Sequence, residues 1–106
     1  MDDLQRLMAI ESIKQLKARF LRCMDTKDWD SFAATMSDDA VLDMSQQGSE
    51  VLEGGGKVIA DWTRNAVHHA QTVHHAHTPE IHLTSPESAK GVWALMDVLR
   101  WPEGGP

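Results

Sequence analysis

Tyrosine is absent from the 106-residue chain, so no phenol is available to donate a hydrogen bond inside a pocket. Cysteine occurs once, at Cys23, which excludes an internal disulfide and a cysteine-built zinc cluster. Cys23 falls on the first expected helix and reads as a small buried hydrophobe rather than a nucleophile, and a reducing, cytoplasmic setting is the default. Positive charge is scarce. Ten Lys and Arg stand against sixteen Asp and Glu, a net charge of −6, which argues against a nucleic-acid surface. No apolar run approaches the roughly 20 residues that span a bilayer, so no membrane partner is expected. The chain opens Met1-Asp2-Asp3, acidic where a secretory signal is basic.

What is present suits one globular domain over residues 1–106: 42% apolar and 25% charged residues, without repeat, linker or low-complexity tract. Asp2 or Asp3 can cap a helix whose apolar stripe runs Leu4, Leu7, Met8, Ile13, Leu16, Phe20 and Met24, ending near Asp25-Thr26-Lys27. A shorter helix capped by Asp28 carries Trp29, Phe32, Ala33 and Met36, and Ser37-Asp38-Asp39 breaks it. The pair makes an αα-hairpin. Short strands are expected over 40–44 and 51–53, with a turn over 45–49 between them. Gly54-Gly55-Gly56 reads as a loop, since G-x-G-x-x-G is absent; phosphate binding is the lesser alternative. A helix follows over 57–69 with Val58, Ile59, Trp62 and Ala66 on its apolar face and Val67 beside it.

Residues 73–84 and 89–101 read as a β-hairpin turning at 85–88. The second strand, from Gly91 to Leu99, is almost wholly apolar, which predicts burial on both faces. Asp97 is conspicuous there, since a buried carboxylate must be paired or carry a raised pKa. Pro102 has no N–H for a ladder, so the strand ends at Trp101, and 102–106 reads as a turn.

All six histidines lie between His68 and His82. Pairing Thr84 with Ala89 puts Ala76 opposite Asp97 and His74 diagonal to it on the same face. A bulge at Pro79 would bring His75 there instead. A His–Asp pair in an apolar cavity is an acid–base device or a hydrogen bond that only holds the sheet together. Metal ligation by His68, His69, His74, His75 and His77 is the weaker alternative, because no Cys or Glu stands at a zinc-like spacing; no metal site is expected. Solvated histidines at a helix end are favoured, with His69 also meeting the helix dipole. The tryptophans, Trp29, Trp62, Trp93 and Trp101, read as core or cavity wall, and Glu80 and His82 as hairpin surface.

The segments LRCMDTKDWDSFAATMSDDAVLDMS, GGKVIADWTRNA, TVHHAHTPEIHL and GVWALMDVLRWPEG, in this order, resemble the SnoaL-like group of the nuclear-transport-factor-2-like superfamily from about Ile10 to Pro102. The resemblance implies an α+β cone, a curved and mainly antiparallel sheet around a cavity closed by the N-terminal helices. Members include scytalone dehydratase, bile-acid 7α-dehydratase, polyketide cyclases and ketosteroid isomerase. Their catalytic Asp at the end of the first helix falls on Asp25, their His on the third strand on His74, and the bile-acid type's second Asp on Asp97. Their first-helix tyrosine falls on Phe20. The family continues through two further strands that this sequence lacks, so an incomplete cone, truncated from a longer parent, is expected.

The expected function is a cofactor-independent lyase or isomerase, dehydratase-like, acting on a small apolar cyclic or polyketide-like substrate. Its catalytic residues are His74, Asp97 and Asp25, and its substrate pocket is lined by Phe20, Met24, Trp62, His75 and Trp93. The alternative is a non-catalytic ligand-binding or accessory module. No cofactor is expected. The partners are a small-molecule ligand and a second copy of the chain, because an apolar last strand with an open edge is a template for pairing.

Overall fold

The computed structural model describes residues 1–102, so the turn expected over 102–106 lies, beyond Pro102, outside the described residues. Helices α1 (Asp3–Asp25), α2 (Trp29–Ala34) and α3 (Gly56–Val67) combine with strands β1 (Leu42–Asp43), β2 (Val51–Leu52), β3 (Gln71–Ser85) and β4 (Ser88–Arg100). A 3-10 turn at Ser45–Gln47 joins the two short strands. The class is α+β, as expected, with antiparallel pairing throughout. The sheet does not close: β1–β2 and β3–β4 are separate two-stranded ladders.

Capping places the helices. The Asp2 carboxylate accepts from the Gln5 N–H while the Gln5 side chain accepts from the Asp2 N–H, a reciprocal capping box. At the other end the Asp28 N–H reaches the Cys23 carbonyl (2.8 Å) and the Lys27 N–H that of Met24 (3.2 Å). That is a Schellman closure, built on Lys27 at φ 63° where glycine is usual. Asp28 then caps α2 by accepting from the Ser31 N–H.

The core sits among the three helices. Phe32 and Ile59 are its fully buried centre, joined by Cys23 and Ala60, with Phe20, Met24, Trp29 and Met36 packed round them. The glycine run serves this packing. Gly55 has φ 88°, a Cβ there would strike the Asp38 backbone, and one on Gly56 would strike the Ala33 carbonyl. The N–H groups of Gly55 and Gly56 are spent on the carbonyls of Ala40 and Ser37. These internal bonds match the plain-loop expectation and leave neither group free for a phosphate.

Three apolar faces differ from the sequence expectation. The stripe of α1 is covered only towards its C-terminal end, where Phe20 and Met24 pack on the helical core; Leu4 is 66% exposed, and Leu7 and Met8 are exposed like it. Leu21, off the expected stripe, is buried instead. On α3 the buried residues are Ile59, Ala60 and Thr63, while Val58 and Ala66 face outwards. The largest departure is β4. It pairs with β3 alone among the described residues, and Val92 (73% exposed), Leu95, Met96 and Val98 lie open rather than buried on both faces.

The hairpin is longer than expected and turns tightly at Pro86-Glu87. Its register shifts twice, between His77 and Glu80 and between Leu83 and Ser85, each time leaving an extra residue on β3. Thr78, at φ 49°, marks the first bulge, beside Pro79 as foreseen. One bulge would have turned His75 towards Asp97. Two restore the parity, so His74 faces Asp97 directly rather than diagonally.

Candidate functional site

Asp25 is the last residue of α1, and the Schellman closure aims its carboxylate at the start of β3. Alternation along β3 turns Thr72, His74 and Ala76 to this side. Asp25 Oδ1 accepts from the Thr72 hydroxyl (2.8 Å) and from His74 Nδ1 (2.7 Å), and Oδ2 accepts from the His74 N–H (2.9 Å). Lys27 Nζ donates to the Thr72 hydroxyl at 3.2 Å, completing a chain from ammonium to imidazole. Across the hairpin, Asp97 Oδ2 lies 3.7 Å from His74 Nε2, a charge contact too long for a good hydrogen bond.

The environments of these groups differ. The His74 side chain is 9% exposed, that of Asp25 22% and that of Asp97 45%. Burial alone would raise the Asp25 carboxyl. The hydrogen bonds from the His74 ring, the His74 N–H and Thr72, with attraction to a charged ring, outweigh it and hold the group below the usual carboxylate range. Burial lowers the Lys27 ammonium, and the Asp25 charge offsets part of that.

The chemistry follows from the tautomer. An ionised carboxylate only accepts, so the 2.7 Å contact requires a proton on His74 Nδ1. In the neutral ring Nε2 then carries a bare lone pair on the side facing Asp97. A carboxylate that fixes the ring through Nδ1 leaves Nε2 as its accepting atom, which is what a general base requires.

Two open hollows flank α1 on this side. One, beside the dyad, is bordered by Ala18, Leu21, Arg22, Asp25, His74, His75 and Ala76. The other is apolar and bordered by Ile13, Leu16, Lys17, Phe20, Thr35 and Trp93. The structure thus brings together His74, Asp25 and Asp97, with Phe20 and Trp93 one hollow away. Met24 packs against the helical core. Trp62 borders neither hollow and donates to Glu50 at 3.1 Å. His75 borders the dyad hollow, but strand alternation sends its side chain to the outer face, where it is exposed opposite Met96.

Among the described residues no three His, Cys, Asp or Glu side chains converge to hold a metal ion. His68 and His69 are exposed with their rings in tilted contact, and it is His68, not His69, that meets the helix end, through the Arg64 carbonyl. Sequence reasoning missed Thr72 and Lys27. Thr72 was recoverable, since it stands two residues before His74 and shares its strand face; Lys27 depends on the helix closure and left no local signal. Among the described residues no helix is long and apolar enough to cross a membrane. The order of elements, the α1 carboxylate set against a β3 histidine, and a match to the SnoaL-like domain over residues 5–106 lead to one assignment. The chain belongs to the SnoaL-like domain family of the nuclear-transport-factor-2-like superfamily.

Proposed function

We propose that this chain is a cofactor-independent lyase or isomerase of the dehydratase type, acting on a small, mostly apolar ketone of cyclic or polyketide-like skeleton. SnoaL-like domains bind small ligands, and the family includes polyketide cyclases and isomerase- or dehydratase-type members. The observation that carries the reading is the 2.7 Å contact between Asp25 and His74 Nδ1, which leaves Nε2 as the base.

In this reading Nε2 removes a proton from the carbon beside the substrate carbonyl. The electron pair passes into an enolate, and Asp25 stabilises the imidazolium. The imidazolium then returns its proton. Delivered to a departing hydroxyl it releases water, and delivered to another carbon of the enolate it completes an isomerisation. Asp97, close to Nε2 but largely solvated, adds a screened attraction to the charged ring. His75 has no part in these steps, because its side chain lies on the other face of the strand. Purified protein assayed for elimination on hydroxylated cyclic ketones should lose at least about a hundredfold in rate on His74→Ala. An unchanged rate would sink the assignment.

A binding module without turnover is favoured by one specific feature. Phe20, packed on Phe32 at 4.7 Å between ring centres, offers no donor to a substrate oxygen. Tight ligand binding without turnover across about pH 5–9, where histidine changes charge, would identify that alternative.

A further inference from the structure

The apolar hollow bordered by Phe20 and Trp93 contains one charged group, the Lys17 ammonium. Its Nζ lies 4.9 Å from the centre of the Phe20 ring and 5.4 Å from that of Trp93. Ile13, Leu16 and Thr35 complete the lining of the hollow. Among the described residues the only ion pairs are those of His74 with Asp25 and Asp97, so none of their carboxylates pairs with Lys17. A half-buried cation facing aromatic rings without an acidic partner is incompletely solvated, and burial holds its pKa below the ordinary lysine value. An anion seated in the hollow would reverse that deficit.

In a chain of net charge −6, α1 carries five basic residues, Arg6, Lys14, Lys17, Arg19 and Arg22, against three acidic ones, Asp3, Glu11 and Asp25, so it is the locally positive element. We propose that Lys17 anchors a carboxylate or ionised enol on an otherwise apolar ligand that lies along α1 between the Phe20–Trp93 hollow and His74. Helix and strand give the same span. Lys17 precedes Asp25 by two turns and a little, about 12 Å of helix rise. Trp93 precedes Asp97 on the same strand face by about 13 Å. A fused polycyclic skeleton or a medium-length acyl chain bridges that distance; a single ring does not. The inference rests on taking this face as a small-ligand site, but it needs no turnover.

The test is calorimetric titration with 2-naphthoate and the neutral 2-naphthamide at pH 7. The expected result is a preference for the carboxylate of at least about tenfold. Lys17→Met should erase that preference while binding the amide no more weakly, and the amide affinity reports that the variant's hollow is intact. If Lys17→Met does not fold, Lys17→Gln takes its place. His74→Ala should keep the carboxylate preference while losing any turnover, so failure of the catalytic reading is separable from failure of this one. Undetectable naphthoate binding, equal binding of the two probes, or a preference that survives loss of Lys17 overturns the proposal.

Discussion

At the scale of single residues the account depends on Asp25. Its carboxylate takes three hydrogen bonds from Thr72 and His74. Asp25→Asn removes the charge and leaves an amide N–H₂ where a donor is not wanted. A loss of about 1–3 kcal/mol in urea unfolding is expected. The pH dependence has a definite sign. Because the folded pKa of Asp25 is depressed, its contribution to stability is fully present above the ordinary carboxylate value of about 4 and is lost as pH falls through the depressed folded value. Urea midpoints measured down an acid series should therefore fall less steeply in Asp25→Asn than in the unsubstituted chain. Equal acid slopes would show that Asp25 titrates as if unpaired. Asp97 is legible in the sequence as a carboxylate in an apolar strand, Asp25 as a carboxylate at a helix end, and His74 through the histidine cluster and the family resemblance. The side of the strand that His74 faces is not, since it depends on counting bulges.

At the scale of elements the β3–β4 hairpin decides the geometry, and its two register shifts are its least predictable feature. Pro79 announced the first bulge, because it cannot donate to a ladder. Nothing in Leu83-Thr84-Ser85 announced the second. Thr78 is held at φ 49°, a left-handed conformation that costs a β-branched residue roughly 1–2 kcal/mol. Thr78→Gly should therefore raise the thermal midpoint, by about 1 kcal/mol of stability, while leaving the His74–Asp97 facing unchanged. A fall in the midpoint would mean that the bulge is not strained there. The helices were easier to read: Asp2, Asp28 and the Phe32–Ile59 core follow from capping and spacing. The exposed first turns of α1 did not follow, because periodicity identifies an apolar face without saying what covers it.

At the scale of the whole molecule the chain is elongated, 53 × 27 × 26 Å with a radius of gyration of 15.1 Å, against about 13 Å for a compact chain of similar length. The long dimension matches a 15-residue strand at about 3.3 Å per residue. Val92, Met96 and Val98 share the outer face of β4 with Val73 across the ladder, and all are exposed. Such a face beside an open edge favours association. Sedimentation at micromolar concentration should therefore give a mass above the 11.8 kDa of one chain, and Met96→Lys with Val98→Lys should return it towards that value. A folded species at 11.8 kDa without these substitutions would contradict the expectation. The apolarity of this strand predicts a buried interior strand, because composition does not distinguish a covered strand from one awaiting cover.

The central claim, that Asp25 fixes His74 with Nε2 left free as the base, is tested most directly by the ring itself. Long-range ¹H–¹⁵N correlation spectra of ¹⁵N-histidine-labelled protein report which imidazole nitrogen carries the proton. The account predicts that neutral His74 is protonated at Nδ1 and bare at Nε2, and that Asp25→Asn weakens this preference. A neutral His74 protonated at Nε2 in the unsubstituted protein would contradict it.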